Sequence, residues 1–125
     1  MKNYIKGRLR SFSYAFNGIR ILFKEERNTR IYVVITVAVL LLSYFLRISH
    51  YEWIIVCSII GLVFAMEAIN AAIENLADYA SDKEIHSLIK KVKDLSAAGV
   101  LLIALIALII AFIIFIPKLL TLFPF

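Results

Sequence analysis

Cysteine occurs once in these 125 residues, at Cys57, which excludes an intramolecular disulfide and a cysteine-based zinc site. Lying within an apolar run, it reads as a small packing residue. There is no GxxxxGK[ST] loop and no glycine-rich kinase loop, so the chain belongs to neither common nucleotide-binding class. No nucleic-acid-binding motif is present. The formal charge of +5 comes from basic residues that flank apolar runs, which fits a bilayer surface rather than nucleic acid. The first continuous apolar run starts only at Ile31 and no small-residue cleavage site follows, so no cleavable signal peptide is expected. What abounds is apolar surface: 62% of residues are hydrophobic and the mean hydropathy is +0.90. Those values exceed what a soluble domain carries and predict one small integral-membrane domain over residues 1–125.

The chain opens with Ile5, Leu9, Phe12, Phe16, Ile19 and Phe23 at alternating steps of four and three. Lys6, Arg10, Ser13, Asn17, Arg20 and Lys24 follow one position later. An apolar stripe beside a basic one predicts an interfacial amphipathic helix over 1–28. Anchoring to anionic lipid accounts for its basic stripe; the acidic pair Glu25 and Glu26 fits an anchor poorly. A first span is expected over 29–48, with Arg30 and Arg47 snorkelling to opposite interfaces. The connection from Arg47 to Glu52 reads as a turn, with His50 solvated and Tyr51 and Trp53 in an aromatic belt. A second span is expected over 53–77, where Gly61 with Ala65 and Ala68 with Ala72 allow close helix approach. Residues 78–94 read as a polar loop with a short surface helix. Ser81 and Glu84 resemble its capping box, and Ile85, Leu88, Ile89 and Val92 keep its period. A third span follows over 95–116, closed by Pro117 and Lys118. The predicted fold class is an all-α membrane protein, an N-terminal surface helix plus three transmembrane helices.

The stretch EAINAAIENLAD organises the rest. Glu67, Asn70, Glu74 and Asp78 recur at steps of three, four and four, which places them on one helix face. If Trp53 marks the far interface, about 20 residues cross the hydrocarbon and the near boundary falls close to residue 73. Glu74 then sits at the boundary, Asp78 in water, and Glu67 roughly 9 Å inside the apolar layer. Carboxylates at such depth are costly and mark function. The edge suits chemistry between a lipid and a water-soluble partner.

Of the fourteen Lys and Arg, eight lie in residues 1–30 and four in 83–93, with Arg47 and Lys118 alone on the other side. The positive-inside rule predicts a cytoplasmic N-terminus and 78–94 loop and an external C-terminus. Glu26, Glu67, Asn70, Glu74, Asp78, His86, Lys93 and Asp94 then converge at the inner leaflet. Carboxylates beside water are the hard ligands Mg²⁺ takes, one or two at a time, with nucleotide phosphates completing the shell. A nearby cation would neutralise phosphate charge, and a buried carboxylate would act as general base on a hydroxyl. These are the parts of a phosphoryl-transfer site. A rival reading is a small oligomeric transporter with Glu67 as its proton- or cation-binding acid, but a transporter needs access from both leaflets and these carboxylates cluster on one side. A purely structural membrane protein, hydrogen-bonded through Asn70, would not need so many acids.

E-x-x-N-x-x-x-E-x-x-x-D in the second span, KD at 93–94, SYAFNGI near the N-terminus and ERN around Glu26 together resemble the prokaryotic diacylglycerol kinase and undecaprenol kinase family. The resemblance covers nearly the whole chain. It implies a homotrimer with active sites shared between adjacent subunits, in the bacterial cytoplasmic membrane, moving the γ-phosphate of MgATP to a lipid hydroxyl.

Residue by residue, the resemblance implies that Glu67 is the general base and that Glu26 and Glu74 hold the divalent metal. Tyr14, Glu84, His86, Lys93 and Asp94, with Glu26 and Glu74, match nucleotide-binding positions. Asn70 matches a polar residue one turn from the base, and Asp78 fits as support. Gly7 stands where the diacylglycerol kinases carry an arginine, and Arg8 or Arg10 is placed to substitute. Read singly, Lys93 and Asp94 also fit a solvated pair, His86 a surface histidine and Tyr14 an interfacial aromatic. AFNGI, ERN and Ala97-Ala98-Gly99 lean towards undecaprenol over diacylglycerol as acceptor.

Overall fold

The computed structural model describes residues 1–84 and 86–123. Four helices follow one another: α1 (Lys2–Glu25), α2 (Arg27–Phe45), α3 (His50–Ala80) and α4 (Ser87–Leu122). Three of them, α2, α3 and α4, are long and apolar enough to cross a membrane, so the chain is an integral membrane protein. At 1.5 Å per residue α3 is about 46 Å long and α4 about 54 Å. Both exceed a hydrocarbon core of about 30 Å, so each carries a polar extension beyond its span.

α1 is exposed along almost its whole length, with Leu22 its one buried residue. Its apolar stripe, Ile5, Leu9, Phe12, Phe16 and Ile19, is exposed and free to enter the bilayer interface. The helix is tied down only near its C-terminus, where Leu22 is buried and the Phe23 and Phe64 rings stack at 5.4 Å between centroids.

α3 and α4 form the closely packed pair, and α2 touches α3 more sparingly. The densest packing is at the end remote from the acidic edge, where Ile48, Val56, Ile114 and Phe115 are buried against Leu42, Leu46 and Trp53. Glu52 and Lys118 close that end with a 3.1 Å ion pair between the start of α3 and the last turns of α4. The cluster holds three helices together at one end and leaves the other end to be shaped by polar residues.

Several local expectations are corrected. The capping box lies at Ser49 and Glu52, not at Ser81 and Glu84. Ser49 Oγ accepts from the Glu52 N–H at 3.2 Å and the Ser49 N–H donates to the Glu52 carboxylate at 2.6 Å, so the supposed turn already starts a helix and His50 is its first residue. Arg47, at φ 51°, makes the reversal between α2 and α3. Ser81 instead terminates α3, and the chain reverses through Asp82 and Lys83, both in the left-handed region at φ 51° and 62°. Among the described residues no separate surface helix forms after it: α4 runs unbroken from Ser87, because the polar period of Lys90, Lys93 and Asp94 continues into the apolar span. Ile85, read as part of the surface helix, lies outside the described residues.

Pro117 does not stop α4, which continues to Leu122; losing one N–H near the end of a long helix is tolerated when the following turns are anchored, here through Lys118. Cys57 faces outward rather than into the core. Gly61 likewise has open space around it, so the close helix approach falls elsewhere: at Gly99, where an added Cβ would stand 2.7 Å from Cε of Met66.

Candidate active site

The four-residue polar edge of α3 survives folding as one face. Glu67 and Asn70 are only 2% and 6% exposed, and Glu74 and Asp78 are half-buried one and two turns further on. Glu67 and Asp78 are eleven positions apart, about 16 Å along the axis, so the edge descends from solvent into the bilayer. Small residues opposite it, Ala97 and Ala104 on α4, leave a cleft that Glu67, Asn70 and Glu74 share with Asn28 and Tyr32 of α2.

Two of the polar side chains on this face, Asn70 and Asp78, have their orientation set by a neighbour on α4. The Ser96 hydroxyl donates to Oδ1 of Asn70 at 2.6 Å, across the α3–α4 seam. Lys93 Nζ donates to Oδ1 of Asp78 at 2.8 Å. That hydrogen bond, with the negative charges of Asp78 and Glu74, holds the Lys93 pKa above the ordinary lysine value despite some desolvation. Glu67 differs, since its Oε2 is buried and has no hydrogen-bond partner among the described residues. A buried carboxylate oxygen left unengaged is placed to accept a proton from a group entering the cleft.

Glu26 reaches the site by a break in the chain. It is extended, at φ −80° and ψ 117°, between the end of α1 and the start of α2. Its side chain lines the neighbouring groove between α1 and α3, within electrostatic reach of Glu67, as Glu74 also is. Three carboxylates this close repel unless a cation or a proton offsets them. Among the described residues no three His, Cys, Asp or Glu converge into a complete metal cage. Carboxylates from two segments beside an open cleft are donors of the kind a hard divalent cation takes, one or two at a time, with phosphate and water completing its shell.

Beyond Asp78 the edge opens into a second cleft, lined by Asp78, Lys83, Glu84, Lys90, Lys93 and Asp94. Lys90 pairs with Asp94 one turn on, and His86 Nε2 stands 3.6 Å from the Glu84 carboxylate, both on exposed side chains. Lys93 joins the two clefts, since it contacts Asp78 and lies within reach of Glu74. The structure thus brings Glu67, Asn70 and Glu74 together, sets Glu26 beside them, and gathers Asp78, Glu84, Lys93 and Asp94 next door. Tyr14 is not among them; it stands on the exposed face of α1 and lines neither cleft.

Three polar residues of the site were missed in the sequence: Asn28, Tyr32 and Ser96. Asn28 sits in the ERN segment, where the signal was available but was spent on Glu26. Ser96 follows Lys93 by three positions, a helical spacing that puts it on the same face. Tyr32 reads as one more apolar-run aromatic, and nothing in its neighbours marks it out.

A helical membrane fold with an acidic edge leading from a span to a cleft of mixed charge fits a protein that acts where lipid meets water. Comparison with known proteins gives its family. The family model for prokaryotic diacylglycerol kinase matches residues 13–115. The chain is 36% identical to the Bacillus subtilis protein named undecaprenol kinase over 118 residues, 94% of this chain and 95% of that protein. It is 33% identical to the diacylglycerol kinase of Synechocystis over 112 residues, 90% of this chain and 64% of that protein, and 30% identical to that of Haemophilus influenzae over 92 residues, 74% and 77% of the two chains. The chain belongs to the prokaryotic diacylglycerol kinase family. It is a lipid kinase, a phosphotransferase with an alcohol group as acceptor.

Proposed function

We propose that the chain transfers the γ-phosphate of MgATP to the hydroxyl of undecaprenol, recycling a carrier lipid, with Glu67 as general base. The observation that supports this most is the Glu67 carboxylate, nearly fully buried inside a span yet carrying an oxygen with no hydrogen-bond partner among the described residues. The acceptor hydroxyl enters the cleft from the bilayer and gives its proton to that oxygen. The acceptor oxygen then bonds to the γ-phosphorus as the bond to the β-phosphate oxygen breaks, and ADP leaves. Lys93 faces the phosphates and offsets their charge, held in place by Asp78. Glu26 and Glu74 would hold Mg²⁺, which supplies charge neutralisation at the phosphates when bound.

Glu84, His86 and Asp94, with Tyr14, are proposed as nucleotide contacts. For Tyr14, on the exposed face of α1, this is consistent with a site completed by a neighbouring subunit of a homotrimer. The basic excess in residues 1–30 and 83–93 supports a cytoplasmic site and N-terminus in the bacterial inner membrane, with the C-terminus outside. Undecaprenol is favoured over diacylglycerol by the extent of the match to the Bacillus subtilis protein, which covers nearly all of both chains. Parallel assays in mixed micelles test the acceptor: undecaprenol should be phosphorylated at least several-fold faster than diacylglycerol at equal surface concentration, and the reverse ranking would reject the assignment.

A further inference from the structure

Glu67 is carried by α3, and its nearest polar neighbours on that helix, Asn70 and Glu74, are both committed elsewhere. Asn70 Oδ1 is taken by Ser96, and Glu74 carries the same charge as Glu67. A general base of this kind works only if its carboxylate is held in one rotamer, with one oxygen turned to the acceptor. The help comes from α2. The break at Glu26 starts α2 at Arg27, which puts Asn28 in its first turn, on the wall of the Glu67 cleft. There its carboxamide, a donor, shares the cleft with the Glu67 carboxylate.

We infer that Asn28 is a positioning residue for Glu67, its carboxamide N–H holding one carboxylate oxygen so that the other faces the acceptor hydroxyl. The chemistry of the side chain suits the task. A carboxamide offers two N–H donors and does not ionise, so it steers the carboxylate without competing for the proton. A lysine or arginine there would lock Glu67 into an ion pair and blunt it as a base. The location also matters, because Asn28 couples the base to the α1–α2 junction that carries Glu26. One short segment then orients the base and presents a metal ligand.

This inference rests on the kinase reading above. The test uses the full-length protein in mixed micelles, with the parent and Glu67→Gln as controls, and measures kcat and KM for MgATP together with oligomeric state. Asn28→Leu, which keeps the volume and removes the donors, is expected to lower kcat by about tenfold or more while KM for MgATP stays within about twofold. Asn28→Gln, which retains an N–H donor, should lie closer to the parent than to Asn28→Leu. If Asn28→Leu does not assemble like the parent, Asn28→Ala carries the same expectation. A kcat within about twofold of the parent, a rise in KM that matches the lost activity, or equal losses in the leucine and glutamine variants would overturn the inference. Absence of lipid phosphorylation by the parent itself would instead reject the kinase reading, so the two failures are distinguishable.

Discussion

The Ser96 hydroxyl, on α4, donates to Oδ1 of Asn70, on α3, at 2.6 Å. With that oxygen occupied, the Nδ2 end of the carboxamide is the one left for the cleft. The bond therefore sets how Asn70 meets a ligand as well as joining two spans. Ser96→Ala is expected to cost about 1 kcal/mol of helix-pair stability and to lower kcat several-fold. Thermal unfolding in detergent and steady-state kinetics on the same preparation check both parts.

Lys93 and Asp78 give a pH prediction. Asp78 holds the Lys93 pKa up, so what their pairing adds to the folded state is present below the ordinary lysine value and is lost as pH rises through the raised folded value. Asp78→Asn removes the first cause of that shift and lets the Lys93 pKa fall back. The alkaline fall in kcat/KM for MgATP should begin at lower pH in Asp78→Asn than in the parent. An unchanged alkaline limb would show that Lys93 does not meet the nucleotide in its charged form.

Glu26 approaches the site from the α1–α2 junction and Glu74 from α3, which makes them separable. Each of Glu26→Gln and Glu74→Gln should raise the Mg²⁺ concentration for half-maximal rate by about tenfold or more. Chelation with EDTA should abolish transfer by the parent, and added Mg²⁺ should restore it.

Much of this site was legible because a helix repeats. The steps from Glu67 to Asp78 are enough to align four polar residues on one face, and no tertiary contact is needed to see it. The capping boxes show the opposite case. S-x-x-E occurs at both Ser49 and Ser81, and only the fold decides which begins a helix; a connection of four residues hid the true one. Ser96 matters through a bond to Asn70 on another helix, and Asn28 through the cleft it shares with Glu67, which no spacing within one helix reveals. Cys57 and Gly61 were misjudged because apolar composition marks a membrane span without saying which side faces lipid.

At Gly99 the two longest helices approach each other closely. An added Cβ would stand 2.7 Å from Cε of Met66, the free end of a flexible side chain that can swing away. Gly99→Ala should therefore change stability by less than about 1 kcal/mol, helix propensity offsetting the crowding. Gly99→Leu should wedge α3 from α4 and cost about 1–3 kcal/mol. Denaturant titration in micelles separates the two.

The most direct measurement is transfer of labelled γ-phosphate from MgATP to lipid by purified protein in mixed micelles, parent beside Glu67→Gln. With Glu67 as general base, the parent labels the lipid and Glu67→Gln, assembled as the parent is, falls by about 10²–10⁴-fold. A Glu67→Gln variant that labels lipid at the parental rate would contradict the account.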